Sequence, residues 1–398
     1  MKSRTKYAII CIILTAIITA VLIFYPREKN IHSSFSVADI MASADTIGYA
    51  RADSQRIFEF PADHGPHPGF RNEWWYFTGN LVTDSGRRFG FQFTIFRSAL
   101  APQSAERNSA WAADQAYMAH FTVTDVENKR FYAHERFSRG AAGLAGASVD
   151  PFRVWLEGWE ITGRGSNPAA ETPVMHLRAG ENEIELELRL ESIKKIVLQG
   201  DNGLSRKGSG AGNASYYYTI PRLRAEGEIR VSDTSYPVTG QAWLDREWSS
   251  SALDSNQVGW DWFSLQLSDG SDIMYYQIRE SDGSASQFSK GVFVRKDGSY
   301  EKIEPDDVEV RVLDRWKTDD GVSYPSKWRL IIPDYQADLL ITPLVDDQEL
   351  KVAVRYWEGA VAVSGTSDGY GYVELTGYAD IQSGRRPKNS RNFNPDNP

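Results

Sequence analysis

The 398-residue sequence predicts an all-β protein of antiparallel barrels or sandwiches, preceded by one apolar N-terminal helix. Three observations carry that prediction. Apolar and polar residues alternate with a period of two, Phe89, Phe91, Phe93 and Ile95 against Gly90, Gln92 and Thr94, and Ile184, Leu186, Leu188 and Leu190 against Glu185, Glu187, Arg189 and Glu191, as in strands with one buried face. Turn signals such as Asp84-Ser85-Gly86, Ser268-Asp269-Gly270, Ser281-Asp282-Gly283 and Lys296-Asp297-Gly298 fall between such runs, where hairpin connections belong. No long amphipathic helix pattern follows residue 56.

Taken in order, the chain opens with an apolar run from Tyr7 to Tyr25, interrupted only by Thr15 and Thr19 and preceded by Lys2, Arg4 and Lys6. As a helix it would span roughly 30 Å of hydrocarbon, which predicts one crossing of the inner membrane with the basic flank in the cytoplasm and the bulk of the chain in the periplasm. The nearest small-x-small sites, Ser36-Val37-Ala38 and Ala42-Ser43-Ala44, lie far beyond that run, so an uncleaved anchor is expected; cleavage would make the same bulk secreted. The single cysteine, Cys11, lies inside the run, which leaves the exported portion without disulfides, thiolate metal ligands or a cysteine nucleophile. Residues 26–56 are polar and mixed in charge and read as a tether.

A loose internal repeat predicts two similar barrels. Trp74-Trp75-Tyr76-Phe77, followed by a turn and an aromatic strand, is echoed by Trp260-Asp261-Trp262-Phe263, a turn and the strand Ile273 to Arg279 that contains Tyr276. The expected domains are residues 57–224 and 225–385, with 386–398 as a disordered tail. A net charge of −9 and pI near 5.3 leave no basic surplus for phosphates and argue against a nucleic-acid partner.

Two phrases carry chemistry: Asp63-His64-Gly65-Pro66-His67 through Glu73-Trp74-Trp75-Tyr76, and Gly240-Gln241-Ala242-Trp243-Leu244-Asp245-Arg246-Glu247-Trp248, soon followed by Trp260-Asp261-Trp262. In a strand Trp74 and Tyr76 share one face and Glu73 and Trp75 the other. A buried Glu73 needs a partner, for which Arg71, Arg222 and Arg246 are candidates; as a salt bridge it would anchor the sheet rather than react. Asp245 and Glu247 project to one side, Arg246 and Trp248 to the other. Two carboxylates on one aromatic wall would hold one of them protonated near neutral pH, and an exposed charged hairpin is the alternative. His64 and His67 sit in a proline-bounded loop that reads as structural, closing the mouth of a cavity, since a zinc site lacks a third committed ligand. His120 faces away from Phe121, toward either a cavity wall or solvent, and His134 and His176 carry no context beyond strand positions. No Gly-x-Ser-x-Gly elbow and no phosphate-cradling loop are present.

In these phrases, and in Tyr216-Tyr217-Tyr218 before Pro221-Arg222-Leu223, the chain resembles the AttH and carotenoid 1,2-hydratase family, which includes hydroxyneurosporene synthases and proteins labelled secreted hydrolases, over about residues 57–385. The resemblance implies two lipocalin-like barrels sharing a hydrophobic cavity, and chemistry on apolar, often terpenoid, molecules; fungal relatives of that fold look like pericyclases. The hydratase members carry a histidine where this chain has Arg246, and an arginine cannot shuttle a proton at neutral pH, which puts carotenoid hydration by that constellation in doubt. Export-targeted members have the same Asp-Arg-Glu-Trp and stand closer.

The expected function is therefore an exported lipocalin-like protein that accommodates a large hydrophobic molecule, an isoprenoid or a lipid, and hydrates an alkene by acid-initiated addition of water. Asp245 or Asp261 would donate the proton, and Trp248, Trp260 or Trp262 would face the cation, with no metal or organic cofactor required. Candidate catalytic residues are Glu73, Asp245, Glu247 and Asp261. Candidate substrate contacts are Trp74, Trp75, Tyr76, His120, Tyr217, Arg222, Trp243, Arg246, Trp248, Trp260, Trp262 and Tyr276. The alternatives are a non-catalytic carrier, for which aromatic walls suffice, and a secreted hydrolase, which rests on the family's labels alone.

Overall fold

In the computed structural model, residues 46–103, 109, 111–164, 171–250, 253, 254 and 256–379 are described. The apolar run Tyr7–Tyr25 and the tail 386–398 lie outside them, and no helix among the described residues is long and apolar enough to cross a membrane. Thirteen strands form the first sheet: β1 Asn72–Val82, β2 Arg88–Ala99, β3 Gln115–Asp125, β4 Arg130–Arg139, β5 Ala145–Ser148, β6 Arg153–Leu156, β7 Trp159–Arg164, β8 Val174–Glu181, β9 Ile184–Ser192, β10 Val197–Leu198, β11 Leu204–Arg206, β12 Ala214–Val231 and β13 Thr234–Ser249. Ten form the second: β14 Gln257–Leu267, β15 Asp272–Glu280, β16 Lys290–Val294, β17 Tyr300–Ile303, β18 Glu309–Lys317, β19 Ser323–Ile332, β20 Ala337–Pro343, β21 Glu349–Lys351, β22 Arg355–Gly365 and β23 Gly369–Leu375. Helix among the described strands' connections is limited to single 3-10 turns such as Ala62–His64.

Each sheet is an antiparallel meander that curls until its first strand pairs with its last, β1 with β13 and β14 with β23. That shared topology is the physical content of the aromatic repeat, since β1 and β14 hold the same place in their sheets. The alternation read from sequence supplies the cores. Phe89, Phe91, Phe93 and Ile95 meet Ile184, Leu186, Leu188 and Leu190 inside the first barrel, while Phe263, Leu265, Trp328, Trp357 and Val373 fill the second. The turn joining β1 to β2 closes with the Gly86 amide donating to Thr83 O at 2.9 Å, and Gly86 takes φ +89°, a conformation that favours glycine.

Two boundaries differ from expectation. The switch between sheets falls between Ser249 and Gln257, downstream of residue 224, because β12 and β13 are one long hairpin whose second strand is needed to pair with β1. Residues 46–56, expected as tether, are not free of the first barrel: Ala52 is buried in its core and the Ala50 amide donates to Gly69 O at 2.8 Å.

The outer faces of β1, β12 and β13 pack on those of β14, β15, β22 and β23 through a third apolar cluster that includes Tyr76, Trp243, Trp262, Met274 and Tyr372. A buried ion cluster clamps the contact. Pro221 interrupts the β12 ladder, and at that register shift Arg222 reaches across to Asp272 Oδ1 at 2.7 Å and to the carbonyls of Leu267 and Ser271. Lys194 takes the other oxygen, Asp272 Oδ2, at 2.5 Å. Arg222 is thus a fastener between barrels rather than a substrate contact. Removing the anion strands two cations, so Asp272→Ala should lower stability by about 3–5 kcal/mol in urea denaturation followed by tryptophan fluorescence; a loss under about 1 kcal/mol would show that the cluster does not hold the barrels together.

Candidate active site

Packed side chains fill the core of each barrel, and a cavity lies between them. It holds about 880 Å³ of atom-free space, the solvent at its mouth included. Trp74, Tyr76 and Phe96 line it from β1 and β2, Tyr217, Asp245 and Glu247 from β12 and β13, and Trp260, Trp262, Tyr276, Tyr356 and Glu374 from the second sheet. Strand parity dictates this wall. Asp245 stands opposite Tyr76 on β1 and Thr219 on β12, and Glu247 opposite Trp74 and Tyr217, so one face of three neighbouring strands delivers acids and aromatics together.

Asp245 is buried beneath three donors. Thr219 Oγ1 and Trp243 Nε1 both donate to Oδ1, at 2.6 and 2.8 Å, and the Tyr217 hydroxyl donates to Oδ2. Burial pushes its carboxyl up to about 6, against the pull of those hydrogen bonds, with Glu247 adding to the rise. Glu374 is pushed further, to about 8, by burial and then by the charges of Asp245 and Glu247, although Trp260 Nε1 donates to its Oε1 at 2.9 Å. It faces Glu358 directly across the β22–β23 ladder, and Glu358, fully buried, is raised as well. Glu247 is differently placed: Lys207 Nζ lies 3.3 Å from its Oε1, Ser215 donates to the same oxygen, and the ammonium also sits 4.0 Å from the Tyr276 ring centroid. The wall therefore carries carboxyls that burial pushes up beside one that an ammonium faces. No three histidine, cysteine, aspartate or glutamate side chains among the described residues are grouped as metal ligands.

The opposite face of β13 serves a different end. Arg246 and Trp248 point into the first barrel, where Glu73, fully buried, binds both Arg246 and Arg97. Burial alone would raise the Glu73 carboxyl, and the two guanidiniums override it and hold it well below the usual range. His67 joins Glu73 to Asp63 and stacks on Trp248 at 3.7 Å, while Arg246 lies 4.0 Å from the ring centroid of Trp75. Glu73, Trp75, Arg246 and Trp248, expected at the site, are thus a buried ionic plug in one barrel. His64 and His67 close that barrel, not the cavity.

Residues 51–378 match the AttH-like family. The chain belongs to it. Over 219 residues it is 24% identical to kievitone hydratase of Fusarium solani subsp. phaseoli, a match taking in 52% of this chain and 60% of that protein, so the chain spans less than two thirds of this relative's length. Among solved structures it is similar to an AttH protein of Nitrosomonas europaea, at 36% identity and a TM-score of 0.73 over 83% of this chain and 99% of that one. The fold is also that of kievitone hydratase from Nectria haematococca, at 14% identity and a TM-score of 0.61 over 82% and 95% of the two chains.

In this AttH-like chain the Arg246 departure does not touch the cavity, because Arg246 occupies the barrel face of its strand. Three other expected residues sit behind or away from the cavity. Asp261 has the wrong parity: Trp260 and Trp262 face the cavity while Asp261 pairs with Arg279 at 3.0 Å and accepts from Tyr378. Trp243 supports Asp245 from beneath, and His120 Nδ1 lies 2.8 Å from the Tyr356 hydroxyl. Lys207, Tyr356, Glu358 and Glu374 were not singled out by the sequence. The alternation of Tyr372 and Glu374 with Val373 and Leu375 was the available signal for one of them; Lys207 sits in a Gly-Ser-rich loop and gave none.

A raised carboxyl is also a stability statement. The folded state favours protonated Asp245, so that contribution is fully present below the unfolded value near 4 and is lost as pH rises through about 6. An asparagine fits the same contacts, its Oδ1 accepting from Thr219 and Trp243 and its amide donating to the Tyr217 oxygen. Asp245→Asn should therefore be more stable than the parent by about 2–3 kcal/mol at pH 8 and nearly equal to it at pH 4. Thermal melts across pH check this, and equal melting temperatures at pH 8 would contradict it.

Proposed function

We propose that this AttH-like protein adds water across a carbon–carbon double bond of an apolar molecule, of isoprenoid or lipid type, held between its two barrels. The observation that carries the reading is Asp245, a carboxyl that burial pushes up to about 6 on a wall rich in aromatic side chains. Two donors, Thr219 and Trp243, fill Oδ1, while Oδ2 accepts only from Tyr217 and has room for the acid proton. From there it is transferred to an alkene carbon, and the π faces of Trp260, Trp262 and Trp74 favour the cation that results. Glu247, beside Lys207, takes the proton that the attacking water loses. The two carboxylates thus stand two residues apart on one strand, Asp245 beneath neutral donors and Glu247 beside an ammonium. That two relatives are kievitone hydratases supports the reaction class. The hydrolase reading gains nothing from the site, since Ser215 donates to Glu247 and no histidine lines the cavity.

Asp245→Asn should lower product formation on an isoprenoid and fatty-acyl panel by at least about a hundredfold while ligand affinity, read by tryptophan quenching, stays within about twofold. Unaltered product formation would eliminate acid-initiated hydration by Asp245. Binding without product in the parent protein would leave a non-catalytic carrier as the account.

A further inference from the structure

The mechanism above uses one of two cavity carboxyls that burial pushes up. The second, Glu374, occupies the corresponding place in the other barrel. Asp245 stands opposite Tyr76 on β1, and Glu374 opposite Trp262 on β14, with β1 and β14 each the first strand of its own sheet. Each carboxyl also has one oxygen fixed by an indole, Asp245 Oδ1 by Trp243 at 2.8 Å and Glu374 Oε1 by Trp260 at 2.9 Å. An indole N–H can only donate, so the oxygen it holds is an acceptor and the acid proton belongs to the other one. The site is a doublet, one acid from each barrel.

The two members differ in what surrounds them. Asp245 is held by Tyr217 and Thr219 as well as its indole, a set of donors suited to the carboxylate that forms when the proton leaves. Glu374 has no such support. Among the described residues Trp260 is its one hydrogen-bonding side chain and no arginine or lysine pairs with it, and its acidic neighbours are Glu358, Asp245 and Glu247. Those neighbours penalise an anion at this position, on the protein or on a ligand. A neutral carboxylic acid is instead a strong hydrogen-bond donor to a neutral oxygen, and a half-buried donor that a bound ligand covers without pairing is costly.

We propose that Glu374 is a ligand-binding residue that donates a hydrogen bond to a neutral carbonyl oxygen, and that the cavity takes an apolar, unsaturated carbonyl compound long enough to reach from Asp245 on one barrel to Glu374 on the other. This names the substrate class of the hydration reading and rests on the cavity being the substrate site. Ligands bearing a carboxylate or phosphate at the Glu374 end are disfavoured by the three acids around it. Hydrocarbons lacking an acceptor leave the acid unpaired.

Chalcone and trans-stilbene, both flat and apolar but differing in the carbonyl, provide the test. With the full chain, chalcone should bind at least about tenfold more tightly than stilbene by tryptophan quenching, as expected when a donor covered by the ligand gains a partner. Glu374→Gln, whose amide N–H still donates, should keep most of that preference, and Glu374→Met should abolish it. The infrared carbonyl stretch of carbonyl-¹³C chalcone should lie lower when bound to the parent and to Glu374→Gln than when bound to Glu374→Met, a signature that a purely structural Glu374 would not produce. Equal affinities for the two compounds, absence of binding by both, or a carbonyl stretch unmoved by Glu374→Met would overturn the proposal. Because these readouts need no turnover, they stand or fall separately from the Asp245→Asn product test.

Discussion

Two curled sheets pressed together by their outer faces meet along a line and diverge on either side of it, and the rest of this structure follows from how the gap is filled. Along the line the contact is made by Met274, Trp243, Tyr372 and their neighbours, with the Asp272 ion cluster fastening it. Away from it the surfaces separate and the same strands line a cavity. Barrel interiors can then be packed solid without loss of a binding site, which is what both cores show.

Strand parity made half of this legible in the sequence. Trp74 with Tyr76 and Asp245 with Glu247 were each placed on a common face by counting, and the structure brings all four to the cavity, together with Trp260 and Trp262. Counting could not say which face was which. Glu73 and Arg246 looked as suited to chemistry as Asp245, since a buried ion pair and a buried acid have the same residue types and differ only in partners; Arg97, which completes the Glu73 pair, lies 24 positions away on β2. Asp261 misled for the same reason in reverse. It is adjacent to two cavity tryptophans in sequence, and a strand sends adjacent residues to opposite sides.

The residues that sequence did not reveal share a different cause. Glu374 and Tyr356 enter the cavity from strands about 130 and 110 residues beyond β13, and nothing short of the second barrel's closure through β14 and β23 puts them there. The repeat was read from the aromatic starts of β1 and β14; its chemical half lies at the closing strands, where Asp and Glu replace one another and no shared phrase survives. Burial then does what composition cannot report. The charges that would be unremarkable on a surface are driven apart, Glu73 toward permanent ionisation by two guanidiniums and Glu374 toward neutrality by burial and the charges of Asp245 and Glu247.

The long β12–β13 hairpin also orders events during synthesis. It closes the first sheet at Ser249, before any strand of the second has been made, so the first barrel can be complete while Tyr76, Trp243 and Tyr217 still face water. Until β23 returns to β14 that face is an unsatisfied aromatic surface bearing two carboxylates with nothing opposite them. In the open half-molecule those carboxylates are hydrated and ionised, and their charge opposes association of one nascent chain with another at the moment when its apolar face is most exposed. The same two side chains thus face water early and are enclosed late, the change being made by the arrival of the second barrel.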